Sequence, residues 1–419
     1  MNRMASTHWV ILTGEYPPQP GGVSDYTRQL TTGLLGAGDG VTLVAPRCDD
    51  QAAPAGVDVR RLSDHFGAAG LAELSDMLQS LPKPRVVLVQ YVPHAFGARA
   101  MNVRFIAFLK KLSMREQVWV MFHEVWFPLR FGQPPQHTLL ALVHRWMART
   151  VTRCARRTFV TVPAWADRIR PFLRHSPEPI WLPVPSNVCT NVPAALRDQV
   201  RARVRTTPSV IGHFGTYGHE IASVLRDVIV TLSSKTPANS ITLLLTGRGS
   251  LAFAESLTPL VRPNTVRVLA TGELSDADLA AHLLACDVLV QPYPDGISTR
   301  RSSAMAGLAL GVPVVTTSGA QTEPLWQQTR AVVLCHGSST TDLTAAILQL
   351  LQDPVERSRL SEASQSLYKN RFSIEHTVRA LREAIKGEYP LFDGQKTSSN
   401  LEKGDTRKGD NPLFGRGPG

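Results

Sequence analysis

The feature that most constrains this chain is an alternation that runs twice. Short apolar runs at His8–Leu12, Val41–Val44, Val86–Gln90, Val118–Phe122 and Thr158–Val162 are separated by amphipathic stretches of helical length. Runs of this kind suit strands buried on both faces, which occur where helices cover both sides of a parallel sheet. A second series follows at Val210–Phe214, Ile241–Leu245, Val266–Leu269, Val288–Gln291, Val314–Thr316 and Ala331–Leu334, interleaved with helical runs such as Ile221–Leu232 and Asp276–Ala285. The pattern predicts an α/β chain of two Rossmann-like, doubly wound domains, with ligands at the carboxyl ends of the strands. The 419 residues are long enough for both. The Pro-rich and then Arg-rich segment Pro177–Pro208 reads as the connection. Residues 1–205 are therefore expected to form the first domain and 206–370 the second. Residues 371–387 read as a C-terminal helix able to return to the first domain, and the polar residues 388–419 as a disordered tail.

Charge is distributed unevenly. The chain carries a net +11, and Arg99–Arg174 holds 14 basic residues against Glu116, Glu124 and Asp167, an excess equal to that of the whole chain. Val103–Leu112 combines apolar and basic residues at helical spacing, and Arg145, Arg149, Arg153 and Arg157 recur every four residues, as a stripe on one helix would. No basic-aromatic recognition module accompanies them, so nucleic acid is not an expected partner. Five scattered cysteines without a C-x-x-C pair fit neither a disulfide framework nor a structural zinc site. Trp9–Leu12 is too short for a signal segment, and Ala304–Val315 is interrupted by Gly307, Gly311 and Pro313. A cytoplasmic protein is expected, at most peripheral at the inner face of a membrane.

Three segments carry candidate chemistry. Gly21 and Gly22 follow the first strand and precede a helix starting near Ser24, where backbone amides and the helix dipole favour an anion; a ligand-free tight connection is the alternative. His123 ends the strand Val118–Phe122, at the sheet edge where such folds keep their chemistry. Asp295-Gly296-Ile297-Ser298-Thr299-Arg300-Arg301-Ser302-Ser303 leads from a strand into a helix stopped by Gly311. It brings an acid, two guanidinium groups and several hydroxyls to one helix N-terminus, a chemistry suited to a sugar and a diphosphate together. A solvated, capped loop is the plainer reading. Neither G-x-G-x-x-G nor a P-loop sequence is present.

At these residues the chain resembles the retaining GT-B glycosyltransferases of family 4. The resemblance rests on Glu15-Tyr16-Pro17-Pro18 with Gly21-Gly22-Val23, on His123-Glu124, on Arg156–Val162 and on Gly212-His213-Phe214-Gly215. It continues through Leu245-Thr246-Gly247-Arg248-Gly249, Leu274–Leu279, and Met305-Ala306 with Gly311–Val315, covering roughly residues 8–385. It implies two domains facing a cleft, the acceptor on the first and a nucleotide diphosphate sugar on the second. It further implies that His123 and Asp295 act on the donor sugar. Gly21, Gly22, Gly215, Thr216, Gly296, Ser298 and Ser303 would meet donor and phosphates, and Gly247, Gly272, Glu273 and Leu274 the nucleoside. Such enzymes usually need no metal or other cofactor, since helix ends and basic side chains offset the leaving diphosphate.

Two departures from the family pattern stand out. A Glu-x7-Glu pair is common where this chain has Asp295 and Ser303, and an Arg and a Lys commonly stand where it reads Thr216-Tyr217-Gly218-His219. Arg300 and Arg301, with Arg248 as a lesser candidate, are expected to replace the missing cations. The function expected is transfer of a hexose from a nucleotide diphosphate sugar to a hydroxyl of a glycan or lipid-linked acceptor, with retention. The basic segment is a further clue to an anionic acceptor or membrane surface. The alternatives are a catalytically degenerate domain that binds a partner, and a sugar-nucleotide epimerase.

Overall fold

The computed structural model describes residues 6–19, 21–48, 56–174, 176–262 and 264–387; the tail expected at 388–419 lies outside the described residues. The first sheet is built from β1 (His8–Thr13), β2 (Gly40–Pro46), β3 (Asp58–Phe66), β4 (Arg85–Tyr91), β5 (Gln117–Phe122), β6 (Arg157–Val160) and β7 (Ile180–Trp181). Their spatial order is β3-β2-β1-β4-β5-β6-β7. The second contains β8 (Ser209–Phe214), β9 (Ile241–Thr246), β10 (Val266–Ala270), β11 (Val288–Gln291), β12 (Val314–Ser318) and β13 (Val333–His336), ordered β10-β9-β8-β11-β12-β13. Every pairing in both sheets is parallel.

The apolar runs account for this arrangement. Trp9, Val10, Ile11 and Leu12 are fully buried, as is the whole of β4, so these central strands must be covered on both faces. Truncating one such Leu or Ile to Ala costs about 2–5 kcal/mol. Strand order reverses between β1 and β4 in the first sheet and between β8 and β11 in the second. At such switch points the connections leave to opposite faces and open a crevice beyond the strand ends. Both sheets belong to one compact unit that ends at Arg379.

Several elements differ from the sequence-based expectations. β3 and β7 are additional strands, and both lie at sheet edges. The helix Ala194–Val204, expected as part of a connection, buries Val200 and Val204 in the core of the second sheet, together with Val188 and Val192. That core thus begins ahead of the boundary placed near residue 205. Arg203 lies 2.7 Å from His282 Nε2, and Arg205 pairs with Asp287 at 3.0 Å. The arginine stripe is shorter than its spacing implied. The helix Pro135–Cys154 ends because Ala155 turns extended, so Arg157 belongs to β6. Arg145 turns inward to donate to the carbonyls of Phe127 and Ala141. Ile374 and Val378, in the C-terminal helix, lie against Gly33 of the helix Gly22–Gly36.

Candidate active site

A cleft of about 380 Å³ opens at the switch point of the first sheet, facing the loop that follows β11 of the second. Its first-half lining comes from the loop after β1 (Glu15, Gly21, Gly22), the helix that follows (Asp25, Tyr26, Gln29) and the ends of β4 to β7 (His94, His123, Glu124, Thr161, Val184, Asn187). The second half contributes Arg300 and Ser302.

Gly21 and Gly22 line the cleft as expected, but the helix N-terminus beside them is already engaged. Glu15 Oε1 accepts from the amides of both Val23 and Ser24, each at 3.0 Å. A Cβ on Gly21 would collide with that carboxylate. A side chain of the chain itself therefore occupies the position where an anion was anticipated, satisfying unpaired amides and opposing the helix dipole.

His123 follows β5 and is held from several sides. Its Nε2 lies 2.7 Å from Gln90 Oε1, its backbone carbonyl accepts from Trp165 Nε1, and Tyr26 packs edge-on at 4.8 Å. With Gln90 Oε1 as acceptor, Nε2 carries the proton and Nδ1 keeps its lone pair. Burial pushes the imidazole down to about 3, so it is neutral at physiological pH. It can exchange hydrogen bonds with a hydroxyl, but it brings no fixed charge. At the mouth, Glu124 faces His94 at 3.4 Å. Asp25 accepts from Asn187 Nδ2 at 3.2 Å.

The loop from Asp295 to Ser303 separates residues that are adjacent in sequence. Arg300 lines the cleft and has no hydrogen-bond or ion-pair partner among the described residues; its Nε is buried and unpaired. Burial first, and then the neighbouring Arg301, lower its pKa, while Glu124, Asp295 and Glu323 raise it. Arg301 instead lies over the Tyr293 ring, 4.7 Å from its centroid. The Tyr293 hydroxyl is 2.7 Å from Ser303 Oγ. Asp295 is exposed and outside the cleft lining. Ser298 is buried with an unpartnered Oγ. Gly296, at φ 85°, packs so tightly on the Gly319 backbone that a Cβ would not fit.

A third group gathers at the ends of β8, β9 and β10. Gly215 N donates to Thr246 O and Gly247 N to Gly272 O, while Gly272 N donates to Ser250 Oγ. Gly247, at φ 100°, sits against the Gly215 carbonyl, and the Thr216 carbonyl faces Gly249. Arg248 and Glu273 pair with each other at 2.7 Å on the exposed surface, so Arg248 is not a free cation. Leu274 packs against the second core.

Residues that sequence reasoning passed over include Glu15, Asp25, Asn187 and, behind the loop, Thr299 and Glu323. Among the cleft-lining residues Arg300 is the sole Lys or Arg; none of the basic residues of Arg99–Arg174 lines it. No group of three or more His, Cys, Asp or Glu able to hold a metal occurs among the described residues.

The fold is shared with solved structures of low sequence identity. Sucrose-phosphate synthase from Thermosynechococcus elongatus superposes with a TM-score of 0.66 at 15% identity, over 91% of this chain and 98% of that one. Anabaena HepE, solved with UDP and glucose, gives 0.59 at 16% identity, over 90% and 99%. WaaG, a glycosyltransferase involved in lipopolysaccharide biosynthesis, gives 0.58 at 15% identity, over 90% and 100%. No curated protein matches the sequence significantly. The family model "Glycosyl transferases group 1" matches residues 208–353, and "Glycosyl transferase 4-like domain" matches residues 21–183. With one model on each sheet and the cleft between them, the chain belongs to the group 1 glycosyl transferases of GT-B fold.

Proposed function

We propose that this glycosyltransferase moves a hexose from a nucleotide diphosphate sugar to a hydroxyl of a glycan or lipid-linked acceptor, with retention at the anomeric carbon. The observation that carries the donor side is Arg300, a partly buried guanidinium without a partner that faces the cleft beside the helix Ser302–Leu310. A guanidinium fork and a helix N-terminus together offset the charge that grows on a leaving diphosphate, and we propose that they do so without a metal ion. Gly215, Gly247 and Gly272 spend their own amides within the loops after β8, β9 and β10, and we assign the close backbone turns they allow there to the nucleoside end of the donor. His123, neutral and fixed by Gln90, orients a donor hydroxyl. The departing diphosphate takes the proton of the attacking hydroxyl on the same sugar face. HepE is described with UDP and glucose, which makes a uridine nucleotide the first donor to try.

The acceptor side is supported by a surface feature. Leu139, Leu142 and Trp146 are exposed on the helix Pro135–Cys154 in one stripe with Arg149 and Arg153, and Leu129 and Phe131 are exposed in the loop before it. Apolar side chains beside cations suit an anionic membrane surface that presents a lipid-linked acceptor. No described helix is long and apolar enough to cross a membrane. The test is a panel of UDP-, GDP- and ADP-sugars with release of nucleoside diphosphate as readout. Anomeric configuration of the product is then read by NMR. A folded protein that releases no diphosphate from any donor overturns the donor assignment, and an inverted product overturns retention.

A further inference from the structure

Among the described residues Arg300 has no hydrogen-bond or ion-pair partner in the cleft, so the residue before it determines where it points. Thr299 is fully buried, and all three of its polar groups are engaged. Its amide lies 3.0 and 3.2 Å from the two carboxylate oxygens of Glu323. Its carbonyl accepts from the Val184 amide at 3.2 Å. Its hydroxyl lies 2.8 Å from Glu323 Oε1 and 3.1 Å from the Thr161 carbonyl oxygen, with a single proton to give. Thr161 and Val184 follow β6 and β7 in the first half, and both line the cleft. One residue thus joins the second-half loop to the first half by backbone and hydroxyl contacts, and Glu323 anchors it from behind.

Glu323 is itself a buried carboxylate, 8% exposed, that receives Trp326 Nε1 at 2.8 Å in addition to Thr299. Burying a carboxylate is unfavourable unless its hydrogen-bond capacity is well used. The Thr299 amide spans both of its oxygens and the Thr299 hydroxyl lies against one of them, so removing the charge acts first on that residue. The adjoining segment is fastened as well: Ile297 N donates to Thr317 O, and Gln321 N donates to Asp295 O. Within this loop, Thr299 makes hydrogen bonds to the first half, at Thr161 and Val184.

From this geometry we infer that Glu323 is a positioning residue for group transfer: through Thr299 it sets the approach of Arg300 to the donor diphosphate and fixes the joint between the two halves at Thr161 and Val184. It touches neither substrate nor the reacting atoms. Burial raises its pKa, while its contacts with Thr299 and Trp326 act in the opposite direction.

The inference rests on the donor reading above, and the experiment separates the two. Glu323→Gln and Thr299→Val are compared with wild type by amide hydrogen exchange without ligand and by binding of UDP, GDP and ADP. Segments 180–188 and 295–303 are expected to exchange at least tenfold faster in both variants, with β1 and β8 unchanged. The nucleoside diphosphate that wild type binds best is expected to bind about tenfold more weakly to each. Thr299→Ser, which keeps the hydroxyl, recovers most of that loss. Adding Glu323→Gln to an Arg300→Met background is expected to weaken binding no further, because the two act through one contact. Full additivity with Arg300→Met, or unchanged exchange in both segments, overturns the inference. If wild type binds none of the three nucleotides, the donor reading fails, and the exchange measurement still decides the joint.

Discussion

Replacing Arg300 by Met should move stability and binding in opposite directions. In the free protein this guanidinium is partly buried, unpaired and next to Arg301. Met matches its length without its charge. Relief of desolvation and of like-charge repulsion is expected to stabilise the fold by about 1 kcal/mol, a rise in Tm of roughly 1–3 °C for a protein of this size. The same substitution removes at least one charge-assisted hydrogen bond to a diphosphate, worth about 1.5–3 kcal/mol. Affinity for the nucleoside diphosphate should therefore fall about 10- to 150-fold. Thermal unfolding and isothermal titration calorimetry on the same preparation measure both quantities. Arg301→Met is the contrasting variant: it gives up the contact over Tyr293, worth about 0.5–1 kcal/mol, and should lower Tm. Destabilisation by Arg300→Met, or wild-type nucleotide affinity, would refute the reasoning that Arg300 is kept unpaired for an anion.

Other predictions concern the rest of the molecule. His123 and His213 are pushed down by burial to about 3 and about 4. The folded state thus binds fewer protons than the unfolded chain below pH 6.5, and stability should fall as pH drops from there, on the order of 1 kcal/mol per pH unit for each imidazole. Urea unfolding at pH 7.5 and 5.5 checks the sign, and equal midpoints would contradict it. Transfer should be unchanged by EDTA; loss of activity restored by a divalent cation would contradict the metal-free balance of charge. Arg149→Ala with Arg153→Ala should weaken sedimentation with anionic vesicles by about 1 kcal/mol per charge at low salt, and Phe131→Ser should weaken it at any salt. Gly247→Ala should cost at least 1–3 kcal/mol, read by chemical denaturation, because a Cβ at φ 100° meets the Gly215 carbonyl.

The two-sheet architecture was legible because its central strands are uninterrupted apolar runs, a signal that survives without knowledge of tertiary partners. β3 escaped because Asp-Val-Arg-Arg-Leu-Ser-Asp-His-Phe is largely polar, as an edge strand can be. β7 escaped because two residues carry no periodicity. Gly21, Gly22, His123 and Arg300, singled out for their places at strand ends and helix starts, line the cleft. Sequence could not separate Arg300 from Arg301: one residue of rotation sends the first into the cleft and the second over Tyr293. Glu323 is 24 residues from Thr299, and Glu15 reaches amides eight and nine residues ahead. Such contacts depend on how loops fold back, which local composition does not encode.

The seat of Glu15 on the helix Gly22–Gly36 bears on which way round a donor can lie. A carboxylate tethered this close acts as an intramolecular competitor, with an effective concentration well above the free concentration of any phosphate compound. A diphosphate approaching that terminus would have to displace a covalently attached rival and leave a second anion beside it. No such rival stands at Arg300. A phosphate would thus meet an occupied terminus in the first half and an uncontested guanidinium in the second.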